Sequence, residues 1–197
     1  MRGIRIAVPV VVPVGTILAG MLSGCVAQYR VPSDAPYASV RLITNTDDRT
    51  TFNVLDPAGC PTPPRPLVLG GMGRQLAALG RERELGMAGS SPESPDRTRE
   101  RKVLPGKRIY VAVISWAAPP AEDMRCAAGV SFVPRVGAQY EIRYARDASA
   151  EHCTARVLRL QPQADGRAMV MQEPTQQGFR ALRAEYLCEG RETRPSD

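Results

Sequence analysis

A β-sandwich of about seven or eight short antiparallel strands, followed by a short C-terminal helix, is the fold this sequence predicts. Three observations carry that expectation. Short runs alternate apolar and polar side chains, the period-two signature of strands with one buried face. The runs are separated by clusters of Pro, Gly, Asn and Asp, in a chain of 197 residues with 18 prolines and 17 glycines. Several such strands at regular spacing, with turn residues between them, belong to sandwiches or barrels.

The chain opens with Arg2 and Arg5, an apolar run from Ile6 to Leu22, and the tetrapeptide Leu22-Ser23-Gly24-Cys25. A basic start, an apolar core and small residues before a cut site make a secretory leader. The apolar run is 17 residues long, at the lower edge of a spanning helix, and contains Pro9 and Pro13. Each proline inside a helix costs about 3 kcal/mol, which argues against a retained membrane span. The tetrapeptide resembles the lipobox of bacterial lipoproteins. That resemblance implies that residues 1–24 are a type II signal peptide and that Cys25 is lipidated on sulfur and becomes the N-terminus. It also implies a durable membrane attachment, since several acyl chains hold where one is marginal. Val26 stands where an aspartate would mark inner-membrane retention, so the resemblance implies the outer membrane, with the domain facing the periplasm. Residues 25–37 then read as lipidated N-terminus and tether, short, polar and broken by Pro32 and Pro36.

The folded domain is expected over 38–189. Ser39 to Ile43 and Thr51 to Leu55 read as strands, joined by the polar turn Asn45 to Arg49. Pro57, Pro61, Pro63, Pro64 and Pro66 form a bend around Cys60 that cannot enter a sheet interior, because proline lacks the ladder donor. Leu67 to Leu69 is a short strand closed by Gly70-Gly71, and Arg74 to Leu85 a short helix or irregular crossing. Ala88 to Lys102 reads as a solvated loop, with Arg97, Arg99, Arg101 and Lys102 as a candidate contact for lipid phosphates or an acidic partner. Arg108 to Trp116, apolar on both alternations, predicts a central strand covered on both faces.

Val130 to Tyr144 predicts a hairpin turning at Pro134 to Gly137, with Tyr140, Ile142 and Tyr144 inward and Gln139, Glu141 and Arg143 toward solvent. Thr154 to Leu160 is the next strand of the same meander, bulged at Val157-Leu158. Ala168 to Met171 is the last strand. Thr175 is then the N-cap of a helix with Phe179, Leu182, Tyr186 and Leu187 on one face. Residues 190–197 form a frayed tail. The turn Pro105-Gly106-Lys107 into a long strand, followed by Phe132-x-Pro134-x-x-Gly137-x-x-Tyr140, resembles small envelope lipoproteins of the transthyretin-like or PEGA-like kind. This likeness covers Val103 to Leu160 and implies a sandwich that docks another envelope component.

Composition excludes more than it assigns. Without residues 1–24 the chain keeps 24 basic and 20 acidic residues, because only Arg2 and Arg5 leave with the leader. A net +4 does not call for nucleic acid as a partner. Cys60, Cys126, Cys153 and Cys188 are an even set in an exported chain and read as two disulfides; no CxxC pair points to zinc. Cys126–Cys153 with Cys60–Cys188 is the preferred connectivity. Strands two apart in one meander lie about 9.6 Å from each other, beyond the roughly 7 Å Cα limit, so Cys126 would have to fold across from its loop.

Catalysis needs a positioned acid, base or nucleophile. His152 is the single histidine and reads as an edge residue. Gly70-Gly71-Met72-Gly73 lacks the lysine and serine of a phosphate loop. No cofactor is expected. The reading is a membrane-anchored, non-enzymatic binding or assembly module with a protein partner in the envelope. The alternative is an envelope hydrolase or other enzyme using carboxylates such as Glu122 and Asp123.

Overall fold

A computed structural model describes residues 27–56, 66–73, 84–117, 125–147 and 152–181. The expectations for the leader, Cys25, Cys60, Cys188, the bend at 57–65, the crossing at 74–83, Glu122, Asp123 and the chain after 181 lie outside these residues.

The fold is a β-sandwich of two five-stranded sheets. The strands in chain order are β1 Ala38–Thr44, β2 Arg49–Leu55, β3 Leu67–Met72, β4 Thr98–Val103, β5 Ile109–Trp116, β6 Arg125–Phe132, β7 Gln139–Arg146, β8 Cys153–Pro162, β9 Ala168–Gln172 and β10 Gln177–Phe179. One sheet has the order β4-β1-β7-β8-β9 and the other β10-β6-β5-β2-β3. Among these ten strands every pairing is antiparallel except β1 with β7, which run parallel. Among the described residues there are thus ten strands where about seven or eight were expected, and one pair departs from the antiparallel rule.

Alternation puts the core where the sequence places it. Val40 and Leu42 from β1, Tyr140, Ile142 and Tyr144 from β7, and Val157 from β8 face Phe52, Val111, Val113, Val130 and Phe132 of the other sheet. All are fully buried or nearly so. Phe132 and Tyr140 meet across the layers with ring centroids 5.0 Å apart. The other face of β5 is covered by a smaller cluster of Leu55, Ala112, Ala181, Tyr110, Ala127 and Phe179. A strand with cover on both sides matches the expectation for Arg108 to Trp116, and β5 is the middle strand of its sheet.

Five expectations are corrected. The segment read as a hairpin is a crossing: β6 lies in one sheet and β7 in the other, and residues 133–138 carry the chain between them. Period-two patterning fixes which face of a strand is buried but not which sheet holds it. Glu141, expected toward solvent, is 2% exposed. The part of 88–102 from Thr98 onward is not a loop but the edge strand β4, paired with β1 from Thr98↔Ile43 to Val103↔Ala38, after a 3-10 turn at Pro95–Arg97. The glycines at 70 and 71 do not close β3, which runs through both to Met72. A Cβ on Gly70 would stand 2.7 Å from Leu42 Cδ1, so glycine there lets the layers approach. The pairing of β7 with β8 passes through Val157 and Leu158 in unbroken register, without a bulge.

The helix expected from Thr175 is also absent over its described part. Residues 177–179 pair instead with Ser131, Val130 and Gly129 of β6 as β10. Thr175 holds a turn: its Oγ1 accepts from Val133 N at 2.9 Å and donates to Glu173 Oε1 at 2.7 Å. Pairing of three residues along the edge of β6 outcompetes a short amphipathic run that a helix would bury on one face only.

Cys126 and Cys153 form a disulfide with Cα atoms 6.0 Å apart, the pairing expected. Its route differs. Each cysteine lies on the inward face of its strand, one in each sheet, so the bond spans the sandwich where the two layers come close enough to stay inside the roughly 7 Å Cα limit.

Candidate functional site

The sandwich has two dissimilar ends, and both sheets carry cover on their outer faces. Strands β1, β3, β5 and β7 set the directions: one end holds the disulfide, the other the entering chain.

At the entry end, the described part of the tether is pinned. Val68 N donates to Ala27 O and Tyr29 N to Val68 O, both at 2.9 Å, so 27–29 lies parallel against the edge of β3. The Tyr29 hydroxyl accepts from Leu104 N at 3.1 Å, and burial pushes its phenol above the ordinary value.

At the disulfide end, the loops after β1, β5 and β7 enclose an open cleft of about 290 Å³ lined by Asn45, Thr46, Asp48, Ala117, Arg146 and Asp147. Asn45 clamps the end of β7 at two points, donating to Arg146 O at 3.1 Å and accepting from Arg146 N at 2.9 Å. Arg146 Nη1 reaches Asp48 Oδ2 at 2.6 Å. Below the cleft floor Ser115 and Tyr144 share a 2.7 Å hydroxyl bond, and burial pushes the Tyr144 phenol up while that bond pulls it back. Asp47 is held by a two-pronged contact from Arg97, Nε to Oδ1 and Nη2 to Oδ2, each 2.8 Å. Arg49 lies over the Trp116 ring at 5.2 Å. His152 sits on the rim, its side chain 82% exposed and its Nδ1 3.4 Å from Asp147 Oδ2. The arrangement offers fixed donors and acceptors to a polar ligand. Among the described residues there is no cluster of three or more His, Cys, Asp and Glu side chains suited to a metal ion.

The outer face of the first sheet carries the feature that sequence reasoning missed. Glu100, Arg41 and Glu141 stand in register on β4, β1 and β7. Arg41 is 3% exposed. It donates to Glu141 Oε1 at 3.0 Å, to Glu100 Oε1 at 3.1 and 3.2 Å, and to the carbonyls of Met87 and Gly89 at 3.2 and 3.0 Å. Arg143 binds the second Glu141 oxygen through Nε at 2.8 Å. The segment 85–89 thus crosses the sheet as a strap, fastened further by Leu85 N on Glu100, Ala88 N on Gln139 and Gly89 N on Gly166 O. The strap explains why charged residues on an outer face are buried. A charge in the middle of an apolar strand, as at Arg41, was the available signal.

The four cations proposed as a partner contact are dispersed. Arg97 is engaged with Asp47 and with Glu93. Arg99 donates to Pro95 O and Thr98 O. Arg101 is 5% exposed and turns inward, its Nε on Leu69 O at 2.8 Å. Lys102 Nζ lies 4.0 Å from the centre of the Tyr37 ring. Any outward contact on this stretch falls to Arg97, Arg99 and Lys102.

Comparison with known proteins finds no matching family model, no matching curated protein and no matching solved structure.

Proposed function

We propose that this chain is a lipid-anchored envelope protein, held at the outer membrane through Cys25, and that it is a non-enzymatic binding or assembly module for a protein partner. The likeness to transthyretin-like and PEGA-like lipoproteins belongs to the same reading. The observation that carries it is the pinning of Ala27–Tyr29 on β3, directly after the lipobox. Covalent geometry keeps the Cys25 Cα within about 7 Å of Ala27, so the acyl chains attach at the entry end. The cleft lies at the other end, a strand length away, and faces outward from the bilayer. Its polar groups are bound structurally, Asp48 to Arg146 and Asp147 to the backbone N–H of His152, an arrangement suited to a rigid recognition surface. Glu122 and Asp123 of the hydrolase alternative lie outside the described residues, and no observation favours that reading.

A photo-crosslinking side chain at Thr46 in the full chain, activated in intact cells, is expected to trap an envelope protein. Asp147→Lys is expected to weaken that product. Trapping from Lys107 but not from Thr46 would place the contact at the wrong end and overturn the cleft as the partner surface.

A further inference from the structure

The end of the sandwich where the tether enters carries exposed apolar side chains that the core does not need. Among the described residues the exposed large hydrophobics are Tyr37, Leu104, Val136, Met169 and Val170. The last two lie on the edge strand β9, and the first three share the entry end. Tyr37 immediately precedes β1, Leu104 follows β4, and Val136 tips the crossing from β6 to β7 with 69% of its surface exposed.

These three belong to one platform. Gly106 N donates to Pro134 O at 2.8 Å and Gly137 N to Tyr37 O at 2.9 Å, and the Tyr29 hydroxyl holds Leu104 N. Gly137 has φ +69°, a value that suits glycine and lifts Val136 to the tip of the turn. Charge complements the apolar groups. Segments 30–37, 104–108 and 133–138 hold Arg30, Lys107, Arg108 and Arg135 against a single carboxylate, Asp34. Arg30, Lys107 and Arg135 are exposed. At the opposite end, by contrast, Asp47 and Asp48 are paired with Arg97 and Arg146.

We propose that this end is itself a membrane-docking face, seating Tyr37, Leu104 and Val136 in the interface of an anionic phospholipid bilayer, with Lys107 and Arg135 on the headgroup phosphates. Apolar patches rimmed by polar groups mark interaction sites, aromatic side chains favour the headgroup level, and cations near an anionic surface are drawn to it. The occupant is fixed by the chain itself. The inference rests on anchoring through Cys25, whose Cα lies within about 7 Å of Ala27. A tether this short, clipped to β3, brings the face against the same bilayer as the acyl chains. Docking then fixes the orientation of the domain, which a free spacer would not.

The native protein has one tryptophan, Trp116, at the end of β5 seven residues beyond Ile109, or about 23 Å along the strand. It is a built-in control. The test places Val136→Trp in the full chain, purified from bacterial membranes in detergent and reconstituted into vesicles of phosphatidylethanolamine and phosphatidylglycerol with brominated acyl chains. Attachment of lipid to Cys25 is measured on the same sample by mass spectrometry. The expected result is loss of most of the emission added by position 136 and none from Trp116, with Lys107→Glu plus Arg135→Glu reducing the quenching. Lipid on Cys25 with position 136 unquenched would overturn the docking face and leave the anchor standing. Equal quenching at both tryptophans would overturn the orientation and the face together. If Cys25 carries no lipid, quenching at 136 on vesicles still upholds the face, and its absence ends both ideas. Val136 is exposed at a loop tip, so the variant keeps the core intact. Slower hydrogen exchange at 104–108 and 136–138 on vesicles than in detergent is the second readout.

Discussion

Arg41 lies between carboxylates from both neighbouring strands, in a strand whose other face is core. Removing charge from water is costly, and a buried pair repays it only with good geometry and every donor used. Here each nitrogen of the guanidinium has a partner, two carboxylates and the strap carbonyls. Truncating one member of such a pair costs about 3–5 kcal/mol, because the other charge is left buried and alone. Arg41→Met is therefore expected to lower unfolding free energy by about that amount, as it leaves Glu100 and Glu141 facing each other. Urea denaturation measures it; a midpoint equal to the parent's would show that the network contributes nothing. Little of this was legible beforehand. Alternation along β7 assigned Glu141 to solvent, and no local pattern says that a strap from 85–89 will cover that face.

Strands with one apolar face were legible because period two is a local property: β1, β2, β7 and β8 all stand near where alternation puts them. The elements that were misread depend on partners far away in sequence. Strand β4 reads Thr-Arg-Glu-Arg-Lys-Val, charged on both faces, and becomes a strand only because Arg41 meets Glu100 and Leu69 O accepts from Arg101. Strand β10 reads equally well as the first turn of an amphipathic helix. Its pairing depends on Gly129, where a Cβ would stand 2.4 Å from Phe179 O and 2.8 Å from the Phe179 ring. Gly129→Ala is expected to displace β10 at a cost of about 1–3 kcal/mol, the range for overpacking a filled site. Backbone hydrogen exchange at 177–179 should rise sharply in that variant, while β7 and β8 keep their protection. Unchanged exchange at 177–179 would mean that β10 does not need the glycine.

For the molecule as a whole, the structure sets an axis. The entering chain, exposed apolar loops and the exposed Arg30, Lys107 and Arg135 occupy one end; the inter-sheet disulfide and the polar cleft, with its paired Asp48 and Arg146, occupy the other. The cysteine pairing was predicted by sequence but for a different geometry, since a single meander was assumed where two sheets face each other. The cleft was not legible at all, because Asn45, Asp48 and Arg146 meet only when loops from three strands converge. We propose that the acyl anchor sits at Cys25 and holds this axis upright. Mass spectrometry of the N-terminal peptide from protein purified out of bacterial membranes tests it most directly. The expected result is a chain beginning at Cys25 with a diacylglyceryl group on sulfur, and an unprocessed, unlipidated chain for Cys25→Ser. A wild-type peptide that retains residues before Cys25, or that begins at Cys25 with an unmodified thiol, would contradict it.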